Sequence, residues 1–230
     1  MDDHEIVKHL NMKMPIPSGS KSIIGYTSEK KFICFLQRGN LIKSLGDVLP
    51  GNKLILSVES AYYAVEKNIA IAIFSDNPVE DLKKDDHKVC SELWFLQKLT
   101  EANVSIAKYN VFKRMISEGM IIRPARPVSV FLKTSDDLSP PLHDYDIWEA
   151  RTYDPIVREC PPPKMRMAIL DNRYKPGTVD VAKLVNYMAQ PVAVRPLILL
   201  CKDCGPVSFN DLDGRFVLPV AQLKDRLKSG

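Results

Sequence analysis

Few residues of this chain have the type and spacing to do chemistry. Cys201-Lys202-Asp203-Cys204 has CxxC spacing, which can hold half of a zinc site or exchange thiols. A closed zinc site needs two more ligands. No second cysteine pair or histidine cluster follows, so the stretch reads as a strand end entering a turn. Asp85, Asp86 and His87 hint at metal ligands. A helix N-terminus explains those carboxylates better, because it presents the positive end of the helix dipole. His143 and Tyr145 invite pairing as acid and base, but beside a Pro-rich stretch they read as a solvated loop histidine next to a strand aromatic. The chain carries no GxGxxG, GxxxxGK[ST], HExxH or GxSxG. No metal and no cofactor is expected.

A denser signal is basic. Lys108, Lys113, Arg114, Arg123, Arg126 and Lys133 face only Glu118 in charge over that stretch. Guanidinium forks and ammonium groups suit phosphate contact, and folded RNA is read by shape and 2′-hydroxyls without a base code. The competing reading is an ordinary solvated helix face. A second set, Arg158, Lys164, Arg166, Arg173 and Lys175, is more scattered.

The whole composition sets few limits. The chain has 230 residues, 45% hydrophobic and 26% charged, enough for one large domain or two small ones. Its 32 Lys+Arg against 28 Asp+Glu permit a polyanionic partner without demanding one. Five cysteines without framework spacing point to a reducing compartment. The opening residues lack a basic-then-apolar leader pattern, and apolar runs such as 196–201 are far shorter than the ~20 residues of a membrane span. These features predict an intracellular, soluble protein.

The elements that must position these residues follow from periodicity. Residues 1–20 read as a loose arm, with Pro15, Pro17 and Gly19. Alternating Phe32, Cys34 and Leu36 predict a strand, and Gly46, Pro50 and Gly51 mark turns. In LILSVESAYYAVEKN an apolar strand meets a helix capped by Ser57, with Glu59 in its first turn and Ala61 and Val65 inward. IAIAIF is a strand. A helix over 87–102 would bury Val89, Leu93, Leu96 and Leu99. One over 107–118 would bury Val111, Met115 and Phe112, turn Lys113 and Arg114 outward, and stop at Gly119. MIIRPARPVSVFL reads as extended, because a residue before proline avoids the helix. This order gives residues 21–134 the pattern of a winged-helix-like α+β module. A polar, Pro-bearing link at 135–143 leads to 144–230, a small α/β unit. Its strands are DYDIWEA, KMRMAILD, RPLILLCKD, VSFNDL and RFVLP, with a helix in TVDVAKLVNYMA on Val181, Leu184, Val185 and Met188.

Four of these stretches, in this order, resemble the tRNA-splicing endonuclease family. LILSVESAYYAVEKN is similar to its shared helix opening, and KYNVFKRMISEGMIIRPA to its Tyr-x-Val-Tyr and basic-helix element. HDYDIWEARTYDPIVRECPPPKMRMAILD and VRPLILLCKDCGPVSFNDLDGRFVLP resemble the structural subunit of the Sen fifty-four type, over roughly residues 20 to 220. The polar insert that many members carry between the halves shrinks here to a few residues around 134–142.

The resemblance implies a degenerate endonuclease-fold domain in the second half. Catalytic subunits cleave RNA without metal, using a Tyr, a His and a Lys as base, acid and charge stabiliser. Here Trp148 stands at the Tyr position, and indole has no titratable oxygen. No histidine follows His143, and the Lys position holds Arg195 and Pro196. Arginine can hold a phosphate but supplies neither acid nor base. The resemblance therefore implies a non-catalytic, nuclear subunit (with the cytoplasm as a second setting) that scaffolds a catalytic subunit and helps bind the mature part of pre-tRNA. It implies a Sen two type subunit as direct partner, with Sen thirty-four and Sen fifteen types completing a heterotetramer. Docking through the last strands would use Asp203, Asp211, Asp213, Arg215, Phe216, Val217 and Leu218, although those carboxylates also suit solvated turns. Two alternatives remain open at this stage: a winged-helix-like nucleic-acid-binding or protein-interaction module, and a metal-free ribonuclease with an unrecognised acid–base pair.

Overall fold

The computed structural model describes residues 21–74, 88–127, 141–150, 152–153, 161–170, 181–190, 194–200 and 217–218. The chain is mixed α+β, with two mixed sheets and, among the described residues, five helices. It divides into two compact units, Met1–Val104 and Ser105–Gly230.

The first unit is built on a six-stranded sheet. In chain order its elements are β1 Ser22–Tyr26, β2 Phe32–Leu36, α1 Leu41–Leu45, β3 Gly46–Leu49, β4 Lys53–Leu56, α2 Val58–Glu66, β5 Ala70–Phe74, β6 Lys88–Val89 and α3 Glu92–Glu101. The strand order is β3-β4-β2-β1-β5-β6. Only β1 and β5 run parallel, with Ser22 opposite Ala70 and Tyr26 opposite Phe74. Gly46 opens β3 rather than making a free turn. A Cβ there would lie 2.8 Å from the Ile55 carbonyl oxygen, so a side chain would prise β3 from β4. Ser57 caps α2 as its sequence predicts, with its hydroxyl accepting from the Ser60 N–H. The helices pack aromatics against Phe32: Phe95 stacks on both Phe32 and Tyr62, at 5.8 and 5.1 Å between ring centroids.

Three readings change in this unit. β1 is a central strand that the alternation test missed, because four of its five residues are buried and SIIGY shows no polar-apolar alternation. The helix expected over 87–102 begins only at Glu92, where Ser91 caps it by accepting from the Trp94 N–H. Lys88 and Val89 pair with Phe74 and Ile73 instead. The buried face of α3 is also rotated from the expected one: Phe95 and Leu99 are buried, while Leu93 is 76% exposed and Val89 is exposed on β6.

The second unit is built on a five-stranded sheet of order β11-β10-β9-β8-β7. Its elements are α4 Ile106–Ser117, β7 Met120–Pro124, β8 Tyr145–Glu149, β9 Met165–Leu170, α5 Val181–Met188, β10 Arg195–Leu200 and β11 Val217–Leu218. Gly119 ends α4 at φ +76°, the left-handed backbone that glycine adopts without strain. β9 and β10 are parallel, and the other neighbours are antiparallel. One face carries Tyr145, Ile147 and Met167 beneath α4, where Phe112 lies 6.0 Å from Tyr145. The other carries Ala168 and Ile198 beneath Leu184 and Met188 of α5.

The sequence places the junction at 135–143, whereas the chain divides after Val104. The reason is a ladder: β7, N-terminal to that link, pairs along its whole length with β8. The third helix and last strand counted toward a winged-helix-like pattern therefore belong to the second unit.

Candidate functional site

A charged row crosses the α5 face of the second sheet. Arg123 on β7 lies opposite Asp146 on β8, which lies opposite Arg166 on β9. Direct opposition puts all three side chains on one face. Asp146 and Arg166 are fully buried, and Arg123 is only 4% exposed. One Asp146 oxygen, Oδ1, accepts from Arg166 Nε at 3.2 Å and lies 2.8 Å from His143 Nε2. Oδ2 accepts the backbone N–H of Arg126 at 3.0 Å. Arg166 Nη1 donates to the Gln190 carbonyl, and the Met188 carbonyl lies 3.5 Å away. A cation at the end of α5 thus meets the negative end of its dipole. Arg123 places its guanidinium 5.2 Å from the centroid of Tyr153, whose ring packs on Trp148.

His143 is the clearest correction. It was expected as a solvated loop residue, but its side chain is wholly buried, and its ring lies 5.8 Å from Tyr187 of α5. Its Nδ1 meets no hydrogen-bond partner among the described residues. Beside it, Asp144 takes an ion pair from Lys108 on one oxygen and the Ile169 N–H at 2.6 Å on the other. The signal that could have revealed this network is a charge inside an apolar strand. Asp146 in DYDIW and Arg166 in MRMAIL would each be too costly to bury alone.

The basic cluster is not one patch. Lys108, 8% exposed, is bound to Asp144, and Arg123 donates to the Ile122 carbonyl at 3.0 Å. Burial removes both from any phosphate-contacting set. Lys113 is half-buried with its ammonium 4.9 Å from the Tyr109 ring, Arg114 pairs with Glu118 at 2.9 Å, and Arg126 is half-buried. Of the second set, Arg166 is internal and Lys164 pairs with Glu149 at the surface.

Trp148 is 1% exposed, and its indole N–H donates to the Pro161 carbonyl at 2.9 Å. Arg195 is exposed and Pro196 half-buried at the head of β10, where the Arg195 N–H donates to the Lys164 carbonyl at 2.9 Å. Val217 and Leu218 form β11, antiparallel to β10. Asp203, Asp211, Asp213, Arg215 and Phe216 lie outside the described residues, as do Lys133, Arg158, Arg173, Lys175, Asp85, Asp86, His87, Cys201 and Cys204. Among the described residues, no cluster of His, Cys, Asp and Glu could hold a metal ion. No helix there is long and apolar enough to cross a membrane.

No protein-family model matches the chain, and a search of curated proteins gave no match.

Proposed function

We propose that this chain is a non-catalytic structural subunit of a tRNA-splicing endonuclease, holding a catalytic subunit in place and helping to grip the mature body of intron-containing pre-tRNA. The observation that carries the reading is Trp148. At the strand position where the resembling catalytic subunits bear a tyrosine, this chain has a buried indole whose one N–H is committed to Pro161. Such a group can neither take nor give a proton to RNA. Against the ribonuclease alternative stands the burial of His143, which leaves its imidazole no path to a 2′-hydroxyl.

In this reading the second unit is a degenerate endonuclease-like fold, docking through β11 and the acidic residues around it onto a Sen two type subunit. Sen thirty-four and Sen fifteen types complete the assembly, and the setting is nuclear. The first unit supplies RNA-facing surface. The test is cleavage of an intron-containing pre-tRNA by the purified full chain, alone and mixed with catalytic subunits. No scission alone, with scission on adding them, is expected. Cutting by the chain alone overturns the reading.

A further inference from the structure

The strand directions of the first sheet bring five strand ends to one rim, the end of β3 among them. β1 begins there, β2 ends there, β4 begins there, and β5 begins beside β1. Hydrogen bonds stitch these ends into a continuous rim. The Ser22 N–H donates to the Ile69 carbonyl at 2.9 Å, the Arg38 N–H to Ser22 Oγ at 2.8 Å, and Lys21 Nζ to Asn68 Oδ1. Gln37 Nε2 donates to the Asn52 carbonyl, tying the end of β2 to the β3–β4 turn.

Four of the strand ends on this rim carry a cation, and β3, which ends there with Leu49 opposite Lys53, carries none. Lys67 precedes β5, Lys21 precedes β1, Arg38 follows β2, and Lys53 opens β4, while Lys43 lies on α1 one turn past Asn40, its N–H donating to the Asn40 carbonyl at 3.1 Å. Arg38, Lys43 and Lys67 are exposed; Lys21 and Lys53 are half-buried. Lys53 and Lys67 hold their ammonium groups over the rings of Phe35 and Tyr63, 5.5 and 5.9 Å from the centroids. Along the same stretches of chain these five cations are accompanied by the acids Asp47 and Glu66. Neighbouring strands lie about 4.8 Å apart, which spreads the four strand-end cations over roughly 15 Å in a line. A single small anion needs a point cluster. A row on a rigid sheet matches a succession of phosphates. Exposed Asn40, Asn52 and Asn68 add neutral donors and acceptors of the kind that meet 2′-hydroxyls.

We propose that this end of the first sheet, with Lys21, Arg38, Lys43, Lys53 and Lys67, is a phosphate-backbone contact surface for folded RNA. The inference rests on the RNA-gripping role above and names a surface for it, separate from the 108–133 stretch that the sequence singles out.

The test is equilibrium binding of the full chain to a folded tRNA over a series of salt concentrations. It compares the parent with Arg38→Gln/Lys43→Gln/Lys67→Gln and with Lys113→Gln/Arg114→Gln/Arg126→Gln. The first triple variant changes only exposed side chains, and its melting temperature, measured alongside, shows that it folds. It should bind at least about tenfold more weakly at moderate salt, with the log–log salt slope reduced by roughly two units. Parent-like affinity and slope overturn the surface assignment, whereas the RNA-gripping role survives if the parent binds tRNA. A parent that binds no tRNA overturns both. A parent that binds linear duplex DNA as tightly as tRNA overturns the assignment to folded RNA.

Discussion

At the scale of single residues, the informative groups are the ones buried against their chemistry. Asp146 has three partners: Arg166 Nε, His143 Nε2 and the Arg126 N–H. Neutralising it in Asp146→Asn leaves the guanidinium of Arg166 inside the sheet–helix layer without its counter-charge. Removing one member of a buried pair costs about 3–5 kcal/mol, mostly as the desolvation of the charge left behind. The Lys164–Glu149 pair is a useful contrast, because both side chains are about half exposed. An exposed pair contributes about 0–1 kcal/mol. Urea denaturation of Asp146→Asn should therefore show a large drop in midpoint, and Lys164→Ala almost none. Equal shifts would mean that the buried row does not hold the second unit together. That Trp148 offers no titratable oxygen was legible from its residue type alone. His143 was not, because its burial depends on α5 and β9, which lie more than twenty residues away in sequence.

At the scale of elements, caps and turns were read more surely than faces. Ser57 and Gly119 hold the roles their types suggest, since a cap is a local matter of one hydroxyl or one positive φ. α3 shows where such reading fails. Val89, Leu93, Leu96 and Leu99 lie at near-helical spacing, but the competing stripe of Phe95 and Leu99 is the one that meets Phe32 and Tyr62. Aromatic area outweighed aliphatic periodicity, and pairing of Val89 with Ile73 on β5 shortened the helix. Two substitutions separate the faces. Phe95→Ala removes a fully buried ring and should cost about 3–5 kcal/mol, whereas Leu93→Gln should stay within about 0.5 kcal/mol. Thermal melts that rank Leu93→Gln as the more damaging change would restore the face that the periodicity suggested. β1 was missed for a related reason: a strand buried on both faces loses the alternation that marks half-buried ones.

At the scale of the whole molecule, the buried acids of the first unit make stability depend on alkaline pH. Burial pushes the Cys34 and Cys90 thiols up to about 12, because the interior penalises the thiolate. Tyr62 is also raised to about 12, first by burial and then by its hydrogen bond to Glu92. All three hold their protons more tightly folded than unfolded. Their contribution is intact below pH ~8.5, where the unfolded thiols begin to ionise, and is lost progressively as the pH climbs toward 12. The same shift sets reactivity, since the thiolate is the nucleophile. A thiol at about 12 has roughly a thousandth of the thiolate of an ordinary one at pH 8. Brief alkylation of the native chain at that pH, read by peptide mass spectrometry, should leave Cys34 and Cys90 unmodified, and alkylation in denaturant should modify both fully. Native labelling at the denatured rate would show that the β2 and β6–α3 region opens readily. The aromatic packing of Phe32, Tyr62 and Phe95 would then not hold the first unit closed.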